Sequence, residues 1–207
     1  SYDLLMEIRE KYARLKFSQI KGFGFSQFSE ILRNYNNIYD FFERNLSDYD
    51  NLIYFSKNSI EFTDNFPEKF VVFGEENYPK LLENTPYPPI VLFYRGDITL
   101  CNSQNLISIV GTRNHSKYGE RVAYGLVEGL GKFNYTFVSG MALGIDTLVH
   151  KYSLEKGYKT IAVIPSSLDK PSPISNYKLF DEIALKGLVL SESLDNSLEQ
   201  KCIRKKK

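Results

Sequence analysis

Hydrophobic positions in the first 60 residues repeat at the spacing of an α-helix. They form two series: Leu5, Ile8, Tyr12 and Leu15, then Phe28, Ile31, Leu32 and Tyr35. The segment Gly22-Phe23-Gly24 lies between them. A Gly-apolar-Gly turn is typical of a helix-hairpin-helix, whose amides can hold a DNA phosphate, and also of a tight turn between packed helices. The short motif favours the tight turn. We predict a small all-α, helix-hairpin-helix/SAM-like domain over 1–60.

After residue 60 the pattern changes to short β-branched and aromatic runs. These predict strands at 70–73 and 90–94, and we interpret 61–105 as a structured connector. From residue 106 on, apolar runs alternate with helical periods. They predict strands near 106–110, 135–139, 159–164 and 187–191, and helices near 118–132, 143–156 and 175–186. This order is typical of an α/β fold with a parallel, Rossmann-like sheet, whose ligands bind at the carboxyl ends of the strands.

A first glycine loop follows the predicted strand ISIV directly. Gly111 permits a close backbone approach, and Thr112 adds a hydroxyl. Arg113 supplies a bidentate fork for phosphate, and Lys117 adds a second cation. The alternative is an ordinary turn with a solvated arginine. Because a second loop repeats the arrangement, a phosphate site is favoured.

The second loop, SGMALGID (139–146), carries small residues wherever the backbone would be exposed. We expect the Ser139 hydroxyl to donate to a phosphate oxygen, and the amides from Gly140 to Leu143 to form an anion nest. Asp146, in the first turn of the next helix, is expected to stabilise the helix dipole and brace the loop. The candidate anion-binding residues here are Ser139, Gly140, Met141, Ala142 and Gly144.

Two further polar residues have competing interpretations. His150 lies four residues after Asp146 and shares its helix face. A surface pair that orders the loop is favoured over a metal or acid–base site, because no third ligand or nucleophile is evident. Asn176 is interpreted either as a helix cap or as a ligand at the crevice rim. Cys101 and Cys202 are too few and too far apart for a zinc site. We expect no metal and no cofactor.

The charge distribution restricts any anion site to a local one. The formal net charge is +1, and the basic excess of the C-terminal half comes from the tail: Lys201, Arg204, Lys205, Lys206 and Lys207. A global basic field is therefore no argument for nucleic acid. The first residues do not resemble a signal peptide, and no apolar run reaches the length of about 18 residues that a spanning helix needs. We expect a cytoplasmic protein without membrane contact.

In their order along the chain, five motifs resemble the DprA/Smf family, the DNA-processing protein A of bacteria. They are NYPKLLENTPYPPIVLFYRGD (77–97), SIVGTRNHSKYG (108–119), VSGMALGIDTLVH (138–150), TIAVIPSSLDKPSPISN (160–176) and GLVLSES (187–193). The resemblance implies a protein without catalytic activity that binds single-stranded DNA in a Rossmann-like domain. It further implies protection of incoming DNA, loading of the RecA recombinase in natural transformation, and a homodimer.

By matching motif, the resemblance implies DNA contacts at Gly111, Thr112, Arg113, Ser139 and Gly140, with a rim near Lys117 and Asn176. The family usually carries arginine where Leu143 stands, and continues after SES with an FPxRNR-type segment. We therefore expect a Rossmann-like domain over 106–207 that is shortened at its C-terminus, with its fourth strand lacking an outer neighbour.

Two other functions remain open at the sequence level. A nucleotide or nucleoside-phosphate hydrolase would need a carboxylate poised for acid–base work, and Asp146 and Asp169 are the candidates. A shortened chain is also compatible with a nonfunctional remnant or a protein-interaction module.

Overall fold

The computed structural model describes residues 2–20, 22–49 and 68–194. The chain divides into two compact units, Ser1–Val91 and Leu92–Lys207. The predicted connector 61–105 is thus shared between the two units. The basic tail and Cys202 lie outside the described residues.

The first unit is mainly helical, as the periodicity predicts. Its elements are α1 (Tyr2–Ser18), α2 (Phe25–Asn34), α3 (Ile38–Tyr49), β1 (Lys69–Val72) and α4 (Lys80–Glu83). Between α1 and α2, the Gly24 amide donates to Gln27 Oε1 at 2.9 Å, and the Phe23 ring packs 5.3 Å from that of Phe17. The amide of Gly24 is therefore engaged within the turn, as in the tight-turn interpretation.

The second unit has the predicted α/β order. Its elements are β2 (Val91–Gly96), β3 (Leu106–Ser108), α5 (Lys117–Gly131), β4 (Thr136–Ser139), α6 (Ile145–Glu155), β5 (Thr160–Val163), α7 (Tyr177–Lys186) and β6 (Leu188–Ser191). The strands follow the order β2-β6-β5-β4-β3. β3, β4, β5 and β6 run parallel, which confirms the predicted α/β, Rossmann-like class.

The expectation that the fourth strand, β6, lacks an outer neighbour is wrong. β2 pairs antiparallel with β6, with Phe93 opposite Ser191 and Gly96 opposite Leu188. Gly96 has φ +106°, and a Cβ there would overlap the carbonyl oxygen of Gly187. The close approach thus depends on a glycine. The sequence predicted a strand at 90–94 but did not indicate that this strand pairs with β6.

A hydrophobic core lies between α5, α6 and the sheet, and Ile107 of β3 and Ile109 just after it pack against this core. It is a cluster of buried apolar residues: Ala123, Val127, Phe137, Ile145 and Val149. Parallel strands place their carboxyl ends at one edge of the sheet, so the loops after β3, β4 and β5 share that edge. Among the described residues, no helix combines the length and apolarity needed to cross a bilayer.

Candidate nucleic-acid interface

The two predicted glycine loops lie in direct contact with each other. The Ile145 amide, at the end of the second loop, donates to the Thr112 carbonyl of the first at 3.1 Å. Gly144 has φ +86°, and a Cβ there would overlap the carbonyl oxygens of Thr112 and Arg113. A Cβ on Gly111 would lie 2.7 Å from that of Ile145. Glycines at both positions therefore allow the loops to pack backbone against backbone.

The Asp146 carboxylate joins the two loops from the inside. Oδ1 accepts from the Gly111 amide at 3.3 Å and Oδ2 from the Gly140 amide at 3.1 Å, and the residue is only 6% exposed. At the Gly140 amide, Asp146 thus takes the place that we expected for a phosphate, and it braces the loop as expected. The expectation that the Gly140 amide binds phosphate is corrected, because its N–H points inward to a buried acceptor.

Ser139 is also a structural residue. Its hydroxyl donates to the Ile109 carbonyl at 2.7 Å, which links the ends of β4 and β3, and the residue is buried. A buried hydroxyl needs a partner within the protein. The expectation that this hydroxyl donates to a phosphate is therefore wrong.

Asn176 holds the second loop from below, a role that neither interpretation had foreseen. Its Nδ2 donates to the Met141 carbonyl at 2.9 Å and to Thr147 Oγ1 at 2.8 Å. Thr147 Oγ1 donates in turn to the Ala142 carbonyl at 2.6 Å. Asn176 makes no capping bond through its side chain and is buried, as is Met141. Met141 adopts φ +57°, so this network fixes the loop in a conformation that a non-glycine residue rarely takes.

His150 is a buried residue and does not form a surface pair with Asp146. Its Nδ1 lies 2.7 Å from Thr160 Oγ1, and that hydroxyl donates to the Phe137 carbonyl at 3.0 Å. Burial lowers the pKa of His150 from 6.5 to about 4. A backbone hydrogen bond with Ser139 raises the pKa, but by less than burial lowers it. The imidazole is thus neutral at pH 7.

The surface of the interlocked loops carries the groups that remain available. Arg113 and Lys117 are exposed, and neither forms an ion pair or hydrogen bond within the described parts of the chain. The amides of Ala142, Leu143 and Gly144, residues that are partly or fully exposed, likewise have no acceptor among the described residues. Thr112 Oγ1 is held in the loop by Asn114, whose amide donates to it at 3.2 Å. This surface is therefore cationic and rich in backbone donors.

Sequence reasoning missed three polar residues that support the loops. Ser116 Oγ accepts from the Gly119 amide at 3.1 Å and caps α5; a serine just before a helical period was a usable signal. Thr147 and Thr160 act through partners far away in sequence, and no local pattern indicates them. Thr147 meets Asn176, 29 residues away.

The carboxylates that a hydrolase would need are engaged elsewhere. Asp146 binds the two loop amides, and Asp169 Oδ1 lies 3.1 Å from Arg95 Nη2. Within the described ranges, no group of three or more His, Cys, Asp or Glu side chains could hold a metal ion.

The fold and this edge define an α/β protein of Rossmann-like type with two interlocked glycine loops at the carboxyl end of a parallel sheet. The chain belongs to the DNA recombination-mediator protein A family, whose model matches residues 69–204. The resemblance to the DprA/Smf family is thereby confirmed.

Similar proteins come from several bacteria. The chain is 32% identical to Protein Smf of Synechocystis over 194 residues, 91% of this chain and 44% of that protein. It is 36% identical to DNA processing protein DprA of Bacillus subtilis over 128 residues, 62% of this chain and 43% of that protein. The chain therefore spans less than half the length of these relatives.

Two solved structures share the fold. The X-ray structure of DNA processing protein A from Streptococcus pneumoniae matches with a TM-score of 0.58 and 36% identity, covering 62% of this chain and 44% of that one. The Helicobacter pylori protein, described for its single-stranded DNA binding mode, matches with a TM-score of 0.55 and 34% identity, covering 62% and 57%.

Proposed function

We propose that this chain binds single-stranded DNA at the loop platform, the surface formed by residues 111–113 and 142–144. The observation that carries the proposal is that Arg113 stands exposed, without an ion pair in the described chain, on two loops locked together by Asp146. A single-stranded DNA binding mode is described for the Helicobacter pylori relative. Arginine is the cation best suited to bidentate phosphate contacts.

In this proposal, side-chain cations and the exposed amides of the second loop make different contacts with DNA. Arg113 and Lys117 neutralise phosphates, and the amides from Ala142 to Gly144 donate to phosphate oxygens. Such contacts go to the DNA backbone, so binding is expected to be independent of sequence. The inward bonds of Asp146 and Asn176 hold these donors in place before DNA arrives, which lowers the entropic cost of binding.

Family membership extends the proposal to the cellular role. DNA held on the platform would be protected during uptake in natural transformation and passed to the RecA recombinase by a homodimer of the complete protein. Binding without turnover is favoured over nucleotide hydrolysis, because Asp146 and Asp169 are engaged in structural contacts and general acid–base catalysis needs a carboxylate that can reach the substrate.

Replacing the platform arginine tests the proposal. Arg113→Ala should weaken binding of a fluorescein-labelled oligothymidylate by roughly ten- to a hundredfold, since charge-assisted contacts contribute about 1.5–3 kcal/mol. Fluorescence anisotropy at fixed salt measures the affinity. Arg33→Ala, at an exposed arginine of α2, is the matched control and should leave the affinity unchanged. Equal affinities for Arg113→Ala and the wild type would contradict the site.

A further inference from the structure

Tyr118, in the first turn of α5, presents its ring to solvent. Tyr118 is 70% exposed, and its ring packs against no other ring within the described residues. Tyr124 of the same helix shows the contrast, because its ring packs 5.1 Å from that of Tyr152. The ring of Tyr124 therefore contributes to packing within the fold, whereas the ring of Tyr118 does not.

The exposure of Tyr118 follows from the orientation of α5. Ala123 and Val127 are buried in the core, and Gly119 faces α6, where an added Cβ would lie 3.5 Å from Ile145 Cδ1. The helix start is fixed by its Ser116 cap. Because the side toward α6 and the sheet is filled, Tyr118 lies on the outer face, next to the first glycine loop.

Two cations flank this ring. Lys117 precedes it, and Arg121 lies three residues later, where side chains of one helix face are neighbours. Both are exposed, and neither has a carboxylate partner in the part of the chain that the structure describes. The acid of the same turn, Glu120, accepts instead from the Tyr152 hydroxyl at 3.1 Å. The α5 ridge, Lys117, Tyr118 and Arg121, thus combines an exposed ring with unpaired positive charge.

We propose that the α5 ridge is a nucleotide subsite in which one base stacks on Tyr118 and Lys117 and Arg121 hold the adjoining phosphates. This proposal rests on the proposed function. It predicts the path of the DNA strand over the protein, from the loop platform along the start of α5. An aromatic ring beside cations is the arrangement that binds single strands without sequence preference, because every base has a π-face.

A tryptophan reporter tests the stacking directly. The chain has no Trp, so Tyr118→Trp introduces a single indole. Oligothymidylate should quench its fluorescence, because a stacked base contacts the ring face. Tyr87→Trp, at a 76% exposed tyrosine of the first unit, is the matched control and should show no quenching at the same DNA concentration.

Affinities of Tyr118 variants separate base contact from phosphate contact. Tyr118→Ala should lower the affinity for oligothymidylate roughly tenfold, in line with the stacking of one base, and leave that for an abasic oligomer of equal length unchanged. Tyr118→Phe keeps the ring and should keep the affinity. Arg121→Gln should weaken binding of both oligomers. Lys132→Gln should not, because Lys132 caps the C-terminal end of α5, about 16 Å farther along the helix axis.

The outcomes distinguish this subsite from the proposed function. Failure of the wild type to bind either oligomer would overturn both. Binding that is unaffected by Tyr118→Ala, with no quenching of Tyr118→Trp, would overturn the subsite alone. A change of oligomeric state in Tyr118→Ala with unchanged DNA affinity would also overturn it, and would assign the ring to a protein contact.

Discussion

At the residue scale, Asp146 determines the geometry of the candidate site. One buried carboxylate accepts amide protons from both glycine loops, so each loop is positioned by reference to the other. Backbone amides left buried without an acceptor are costly. Replacing this carboxylate therefore removes the acceptor that the two loop amides share.

Asp146→Asn should destabilise the protein by about 2 kcal/mol, because the side-chain amide accepts from only one of the two loop N–H groups and turns its own NH₂ donor toward the other. Urea unfolding measures the change, and the oligothymidylate affinity should fall with it. Asp181→Asn, at an exposed position of α7, is the matched control and should alter neither. Unchanged stability of Asp146→Asn would show that the loops hold together without the carboxylate.

His150 should make stability depend on pH below neutrality. Burial lowers its pKa from 6.5 to about 4, so between these values the unfolded chain binds a proton that the folded chain does not. The free energy of unfolding contributed by this residue is therefore full above pH 6.5 and falls as the pH drops toward 4, by at most about 1.4 kcal/mol per pH unit.

Urea unfolding of the wild type and of His150→Gln at pH 5, 6 and 7 measures this contribution. The difference between the two proteins in the free energy of unfolding should shrink as the pH falls, because glutamine does not titrate. A difference independent of pH would mean that the folded state accepts the proton as readily as the unfolded one.

At the scale of elements, the glycine at the end of the second loop is required by packing, whereas a glycine inside α5 is not. Gly144 has φ +86° and no room for a Cβ beside the first loop. Gly125, inside α5, has nothing within 4 Å of an added Cβ. Contact between the loops requires the first glycine, whereas no packing within the described chain requires the second.

Gly144→Ala and Gly125→Ala should therefore shift stability in opposite directions. The first should cost at least about 2 kcal/mol through strain and overlap. The second should stabilise the protein by up to about 1 kcal/mol, because alanine is the better helix former. Thermal unfolding of the two variants measures both signs. Destabilisation by Gly125→Ala would indicate that a partner surface occupies the space beside α5.

At the scale of the whole molecule, charge is almost balanced, with a formal net charge of +1. In the proposed function, attraction to DNA therefore comes from local cations, Arg113 on the platform and Lys117 beside it. Leu143, 46% exposed, stands in the second loop where the family usually has arginine. The second loop thus lacks a cation at position 143, where an exposed side chain can be accommodated.

Leu143→Arg should raise the affinity for oligothymidylate several-fold. It should also steepen the slope of log K against log salt by about 0.7, the value for one additional phosphate contact on a single strand. Anisotropy titrations at several salt concentrations measure both, with Leu143→Gln as the uncharged control. An unchanged slope would place the DNA path away from the second loop.

The sequence by itself determined the alternation of strands and helices, the class of sheet and the positions of both glycine loops. These features rest on local periods of two and 3.6 residues and on glycines beside strand ends. The sequence did not reveal that Ser139 and Asn176 bond inward, or that β2 covers β6. Only the tertiary structure decided these, because a polar group's partner depends on which distant segments meet it, and no local period records that.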